Sequence, residues 1–216
     1  MAFFGGKHGS GGGRGTDGPR FAALAEVRAY WEGLRTATSL PRREDMDPRG
    51  IAGALEHTFL IERIAPGMGR FRLAGMQLSD ILGMDPRGMP LSALLDPAGR
   101  IRLTGPLEQV FAEPAVLDLW LEAERGIGRP VLEARLLLLP MVSTRGITDL
   151  ALGCLATEGQ IGRSPRRFAI AGVMCETLAS VTRMPQSEPM MGMAEAATPY
   201  EAPRPPRGRP QLRVVK

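Results

Sequence analysis

The chain of 216 residues is long enough for one domain with appendages, and its 44% hydrophobic content is sufficient for a buried core. Its two cysteines, Cys154 and Cys175, form no CxxC motif, which excludes a disulfide scaffold and a cysteine-built zinc site. No run of about 20 apolar residues occurs, which excludes a membrane-spanning helix. The net charge of +4 does not indicate a basic folded domain, because residues 203–216 alone carry five basic side chains and no acid.

The first 19 residues are rich in glycine and have no periodic apolar pattern, so we predict a flexible N-terminus. Residues 13–18 match the dinucleotide-binding pattern GxGxxG, but no strand precedes them, and low complexity explains the match. The start of the chain also lacks the apolar stretch of a secretory signal. We therefore expect a cytoplasmic protein.

An amphipathic helix is predicted from residue 20 to about residue 37. Apolar side chains recur along it at spacings of three and four, at Phe21, Leu24, Val27, Trp31 and Leu34. We predict that the last four of these side chains form the interface of a homodimer.

A charged linker follows this helix. Arg43, Asp45 and Asp47 carry the charges for a hydrogen-bonded cluster that holds the linker in place. The alternative is that Arg43 and Asp47, together with Trp31, present a surface to a protein partner. Asp47 and Pro48 also suit the N-cap and the first position of a short helix.

The rest of the chain predicts two strands, several short helices and three further strands. Gly105 and Pro106 are expected to kink or split the longest helix, and Pro140 to end the fourth strand. Residues 166–182 carry the weakest pattern, which is compatible with a strand at 168–173 followed by a helix at 175–181. The predicted ranges are helix 47–55, strands 58–64 and 70–74, helices 76–82, 91–95 and 96–111, and strands 116–123, 130–139 and 148–156.

This order of elements predicts an α+β domain over residues 20–183. We expect a five-stranded antiparallel sheet with helices on one face and the N-terminal amphipathic helix beside it. Residues 184–216 are rich in proline and arginine and are predicted to be disordered.

Four segments of the chain carry a resemblance to a known family. They are Tyr30-Trp31 with Leu34-Arg35; Leu40-Pro41 with Arg43, Asp45 and Asp47-Pro48; residues 71–75 with Leu82-Gly83, Gly88 and Leu91; and Leu132-Glu133 with residues 137–140. In this order the segments resemble the PAS_5 family, described mainly in alphaproteobacteria, over residues 21–157. The resemblance implies a PAS fold with a small cavity between sheet and helices, a regulatory role through a partner or a bound small molecule, and no catalysis.

Apolar side chains between the predicted sheet and helices are the candidate ligand pocket. They are Leu60, Leu73, Met76, Leu78, Ile81, Leu82, Leu91, Leu94 and Leu95. The same residues would also form a filled core, and we favour that interpretation because protein interiors normally pack without large voids.

No catalytic or metal site is predicted. His57 is a candidate haem ligand, but a lone histidine is better explained as a hydrogen-bonded structural residue. Cys154 lies within a predicted strand and is interpreted as an inert buried thiol. Glu122, Glu124 and Glu133 are interpreted as exposed strand carboxylates, since nothing pairs them as acid and base.

The sequence therefore favours a non-enzymatic regulatory protein that acts through protein–protein contact, without a required cofactor. One alternative is a sensor that holds a small molecule or haem in the PAS cavity. Another is a nucleic-acid-binding protein that uses its basic tail.

Overall fold

The structure is a computed structural model that describes residues 19–178. The predicted flexible N-terminus, apart from Pro19, and the predicted tail at 184–216 lie outside that range. The α-helices are α1 (Ala22–Leu34), α2 (Met76–Leu82) and α3 (Pro97–Ala112). The strands are β1 (Thr58–Ala65), β2 (Met68–Ala74), β3 (Ala115–Ala123), β4 (Leu132–Val142), β5 (Thr148–Gly159) and β6 (Phe168–Thr177). The 3₁₀ segments within this range are Pro19–Phe21, Arg43–Asp45, Pro48–His57 and Leu91–Leu94.

The strands form one sheet in the order β2-β1-β5-β4-β3-β6, and every neighbouring pair is antiparallel. This confirms the predicted α+β class. The sequence predicted five strands, and the sheet has six, because β6 is a full strand paired with β3. The helix predicted to begin at Cys175 does not form at 175–177, since Cys175 pairs with Leu117 in the sheet. Residues 179–181 of that predicted helix lie outside the described residues.

Each face of the sheet carries a hydrophobic core. On one face, α2, α3 and the segment Leu91–Leu94 cover the larger core. On the other face, α1 places Leu24, Val27 and Trp31 against β4 and β5. Helices were predicted on one face only, but residues 136–139 of β4 are apolar on both sides. Because successive side chains of a strand point to opposite faces, such a run requires cover on both.

The packing of α1 corrects the predicted dimer interface. Leu24, Val27 and Trp31 are exposed by 6%, 0% and 0%, because they fill the core of their own chain. The indole Nε1 of Trp31 donates a hydrogen bond to the carbonyl of Pro140 at 3.0 Å. Leu34 is half-buried at the end of α1. A stripe used in this way is not available to a second copy while α1 stays docked.

Two prolines lie inside elements that they were predicted to interrupt. β4 continues through Pro140 to Val142 and stays paired with β5. Proline is tolerated there because β3 pairs with β4 only as far as Leu138, which leaves a paired strand on one side. α3 runs through Pro106 as one helix, held by its contacts with β3, β5 and β6.

The predicted N-cap at Asp47 is confirmed. Its carboxylate accepts a hydrogen bond from the N–H of Arg49 at 3.0 Å, and Pro48 is the first residue of the segment Pro48–His57. The hydroxyl of Tyr30 accepts from the Asp47 N–H at 2.7 Å and lies 3.0 Å from its carbonyl. These hydrogen bonds hold the C-terminal end of the linker, at Asp47, against Tyr30 of α1.

One close approach between β1 and β5 gives a stability prediction. Phe59 lies directly across from Gly153, and a Cβ at Gly153 would lie 2.1 Å from the Phe59 ring. Phe59 also packs edge-on against Phe71, so its ring has little freedom to move. We expect Gly153→Ala to lower the free energy of unfolding by about 1–3 kcal/mol, the usual cost of overpacking. Urea unfolding followed by circular dichroism measures this change.

Gly33→Ala is the matched control for that substitution. Gly33 lies in α1, and a Cβ there meets no atom within 4 Å. We expect this substitution to raise the free energy of unfolding by about 0.5–1 kcal/mol, because alanine loses less chain entropy in a helix than glycine. Equal effects of the two substitutions would contradict the proposed clash with Phe59.

Candidate functional site

The predicted pocket residues fall into three different environments. Five of them lie in the core beneath α2 and α3, each exposed by 2% or less: Ile81, Leu82, Leu91, Leu94 and Leu95. Leu78, which the sequence placed with them, is buried in the same core. Leu60 belongs to the core on the opposite face, and Leu73 and Met76 are exposed by 51% and 67%. The structure thus places most of the predicted pocket residues in a packed core, and Leu60, Leu73 and Met76 elsewhere.

A groove of about 510 Å³ opens beside β1 and β2, next to the segment Pro48–His57. Its apolar lining includes Leu55, Leu60, Leu73 and Leu152, and we call it the leucine groove. Leu60 and Leu152 belong to the core on the α1 face, so their buried sides extend that core to the groove. Leu55 and Leu73 are 48% and 51% exposed, and they give the groove an accessible apolar surface.

A second recess, of about 570 Å³, adjoins the leucine groove and shares Arg43, Leu60 and Leu73 with it. The charged side chains that line it are Arg43, Glu62, Arg72 and Arg145, and we call it the arginine recess. Arg72 Nε lies 3.1 Å from Glu62 Oε2, and Arg145 Nη2 lies 3.9 Å from Glu62 Oε1. Three guanidinium groups against one carboxylate make this recess net positive.

The three predicted surface residues have separate roles. Trp31 is buried and is therefore not part of a surface with Arg43, whereas Asp47 is exposed and caps the segment Pro48–His57. The predicted cluster of Arg43, Asp45 and Asp47 does not form, because Asp45 accepts a hydrogen bond from the backbone N–H of Arg42 at 2.9 Å. Arg43 is half-buried where the leucine groove meets the arginine recess.

His57 ends the segment Pro48–His57 and joins three elements. Its Nδ1 is hydrogen-bonded to Gln77 Oε1 at the start of α2, and Gln77 Nε2 donates to the hydroxyl of Thr157 on β5 at 2.8 Å. Its Nε2 lies 3.3 Å from a carboxylate oxygen of Glu56. Protein groups therefore lie within reach of both ring nitrogens. Within residues 19–178, no group of three or more His, Cys, Asp or Glu side chains is arranged to hold a metal ion.

The other candidate nucleophiles and acids are held in unreactive surroundings. Cys154 is fully buried, and this burial raises the pKa of its thiol to about 12. Glu124 pairs with Arg129 at 2.6 Å, and Glu133 pairs with Arg20 at 3.2 Å. Glu122 is exposed on β3. These carboxylates are surface ion pairs or solvent-facing groups.

The sequence missed the arginine recess for a specific reason. A register shift between Leu60 and Ile61 leaves Arg72 without a direct partner across the hairpin. Arg72 nevertheless lines the recess with Leu73, although neighbouring side chains of a regular strand point to opposite faces. Arg145 comes from a loop far along the chain. One sequence signal could have indicated the recess: Leu60 and Glu62 are two residues apart in β1, so a carboxylate lies on the same face of the strand as an apolar side chain.

Comparisons with known proteins give one match. A family model with the description PAS domain covers residues 20–156. The comparisons with curated proteins and with solved structures found no match. In the part of the chain from residue 19 to residue 178, no helix has both the length and the apolar character to cross a membrane.

Proposed function

The chain belongs to the PAS_5 family of PAS domains, and from this premise we propose that it is a non-enzymatic regulatory protein whose output is contact with another protein. PAS domains have signalling and sensory roles and are generally regulatory. A fold alone does not specify a function, so the proposal depends on the surfaces and cores described above.

The filled interior supports protein contact over a ligand held between sheet and helices. Ile81, Leu82, Leu91, Leu94 and Leu95, which were predicted for that cavity, share one core with Phe59, Phe71 and Phe168, all of which are 2% exposed or less. Phe59 and Phe71 meet edge to face with their ring centroids 5.3 Å apart. A ligand in this place would have to displace well-packed aromatic and leucine side chains, which is energetically costly.

The single observation that carries the proposal is the open half of strand β6. β6 lies at the edge of the sheet, and the hydrogen bonds that α3 and its N-cap Asp96 make to β6 lie in the first half of the strand. The Asp96 N–H donates to the carbonyl of Phe168 at 2.9 Å, and the guanidinium of Arg102 donates to the carbonyl of Ile170. An edge strand covered in this way cannot accept a further strand along its first half.

The second half of β6 differs in its surroundings. Val173 and Met174 are 38% and 43% exposed, and within residues 19–178 no backbone hydrogen bond other than those with β3 is made by residues 172–177. An exposed edge with apolar side chains is a surface to which a partner strand adds by backbone hydrogen bonding. We therefore assign residues 172–177 as the contact surface.

A second copy of this chain is one partner that this surface fits. Two identical edges that pair antiparallel are related by a two-fold axis, so the assembly closes at two copies. This replaces the α1 stripe, which is buried, as the proposed homodimer interface. The two free cysteines, Cys154 and Cys175, support placement of the protein in a reducing, cytoplasmic compartment.

The test is the association state of an edge-charged variant. We expect the full chain to sediment as a dimer at high micromolar concentration, and Val173→Lys with Met174→Lys to sediment as a monomer, because lysine on an edge opposes strand addition. Ile101→Lys is the control, since Ile101 is 80% exposed on α3. Other partners are sought by affinity capture from cells, in which the unsubstituted chain, the edge-charged variant and the Ile101→Lys control each serve as bait and every bound protein is identified by mass spectrometry. Unchanged association and capture with the edge-charged variant would overturn the assignment.

A further inference from the structure

We propose that the leucine groove and the arginine recess together bind an anionic amphiphile with one unbranched acyl chain, its tail on the leucines and its head group at Arg43. This site lies outside the interior of the sheet and helices, and it is independent of the β6 edge.

The apolar part of the site has the size and the chemistry for an acyl chain. Its volume of about 510 Å³ falls within the range of about 300–1,000 Å³ that is usual for small-molecule sites. Leu55 and Leu73 are half-exposed, and Leu60 and Leu152, which line the same groove, are buried. Covering the two exposed leucines removes apolar surface from water, which favours binding.

The charge of the ligand follows from which cations are already neutralised. At the rim of the leucine groove, Arg87 donates to Asp85 through Nε at 2.8 Å and through Nη2 at 2.5 Å. These hydrogen bonds lower the pKa of Asp85, so the carboxylate stays ionised and the pair is neutral overall. The side chain of Arg43, in contrast, makes no hydrogen bond or ion pair with any of residues 19–178. Its guanidinium is therefore the cation left for an incoming anion.

The arginine recess adds to this preference from the other side of Arg43. Arg72 and Arg145 share the carboxylate of Glu62, and Arg145 also pairs with Asp149. Both arginine side chains are more than half exposed, so they can reorient towards a second anion. A carboxylate or phosphate head group at Arg43 would meet a positive field from this recess, whereas a cationic head group would be repelled.

Isothermal titration calorimetry with sodium decanoate tests the proposal on the full chain. We expect saturable binding of decanoate and none of decyltrimethylammonium, which has the same tail with the opposite charge. Arg43→Gln should weaken decanoate binding about tenfold, the effect of losing one charge-assisted hydrogen bond at a partly exposed position. Arg49→Gln, an exposed neighbour outside the groove, should leave it unchanged.

A second pair of variants tests the tail of the ligand. Leu73→Asp should abolish binding, and Met68→Asp should not, although both residues lie on β2 with 51% and 48% of their surface exposed. In ¹⁵N-resolved spectra, decanoate should shift the amide signals of residues 43, 60 and 73. Shifts centred on Leu78 and Leu94 would place the ligand in the interior and overturn the proposal.

Two other outcomes would also overturn it. Equal binding of decanoate and decyltrimethylammonium would show an unspecific apolar surface. A dimer that Leu73→Asp dissociates, with no uptake of decanoate by the full chain, would show that a second copy occupies the groove. The first outcome does not bear on the β6 edge. The second would also contradict that edge as the homodimer contact, because β2 and β6 lie at opposite edges of the sheet.

Discussion

Replacing Trp31 with alanine is expected to lower the free energy of unfolding by about 3–5 kcal/mol, the usual cost of truncating a buried aromatic side chain. Trp31 is fully buried between α1 and the sheet, and its indole makes a hydrogen bond of 3.0 Å to the Pro140 carbonyl. The alanine variant loses the packed volume and also leaves that carbonyl without its partner. Since domains of this size are stable by about 5–15 kcal/mol, the loss is a large share of the total.

Urea unfolding monitored by circular dichroism measures the effect, and two variants separate its causes. Trp31→Phe keeps much of the ring but not the indole N–H, so we expect a loss of about 0.5–1.5 kcal/mol from the hydrogen bond, in addition to a packing change. Trp120→Ala removes the other tryptophan, which is only half-buried and lies beneath Arg135 at 4.8 Å. A smaller effect at Trp31 than at Trp120 would contradict a structural role for the docked α1.

Replacing Arg166 with alanine is expected to destabilise the domain by about 3–5 kcal/mol, because three backbone carbonyls lose hydrogen bonds to a charged donor, each of which contributes about 1.5–3 kcal/mol before water replaces part of them. The Arg166 side chain is 0% exposed, and its guanidinium donates to the carbonyls of Ile161, Glu124 and Pro130, the last two at 2.9 and 2.8 Å. It thereby ties the loop between β3 and β4 to the loop between β5 and β6. Burial lowers the pKa of this guanidinium, but an arginine remains protonated at neutral pH.

Two control variants separate the contribution of the Arg166 charge from that of its three hydrogen bonds. Arg166→Lys keeps the charge but cannot reach three carbonyls in one plane, so most of the loss should remain. Arg163→Ala, at an exposed position in the same loop, should change stability by no more than about 0.5 kcal/mol. Thermal unfolding of Arg166→Ala, Arg166→Lys and Arg163→Ala compares their stabilities. Full stability of Arg166→Lys would show that charge alone, without the carbonyl geometry, holds the loops.

Much of the fold could be predicted because its signals are local. The stripe of Leu24, Val27 and Trp31 predicted α1, and Asp47 with Pro48 predicted the start of the 3₁₀ segment that follows the linker. What failed was the predicted partner of this stripe, which packs on the sheet of its own chain and not on a second copy. An apolar stripe indicates that one face of a helix is buried, but it does not indicate which element or which chain covers that face.

The candidate site was less accessible from the sequence. Leu60 and Leu73 were among the predicted pocket residues, but they line an outer groove with Arg43 and not an interior cavity with Leu94. Arg145 joins them only because β5 places its preceding loop beside β1. Arg166 carried no signal at all, since a single arginine in a polar loop is typical of a solvated surface.

The sequence by itself determined the class of the fold, the family and the presence of a helix with one apolar face, because these depend on periodicity and on short segments in a fixed order. The tertiary structure decided which face each helix covers, how far β6 extends, and where charged side chains from distant segments meet. Those features depend on contacts between residues far apart in the chain, and a one-residue shift of register in the β1–β2 hairpin is enough to change which side chains share a surface.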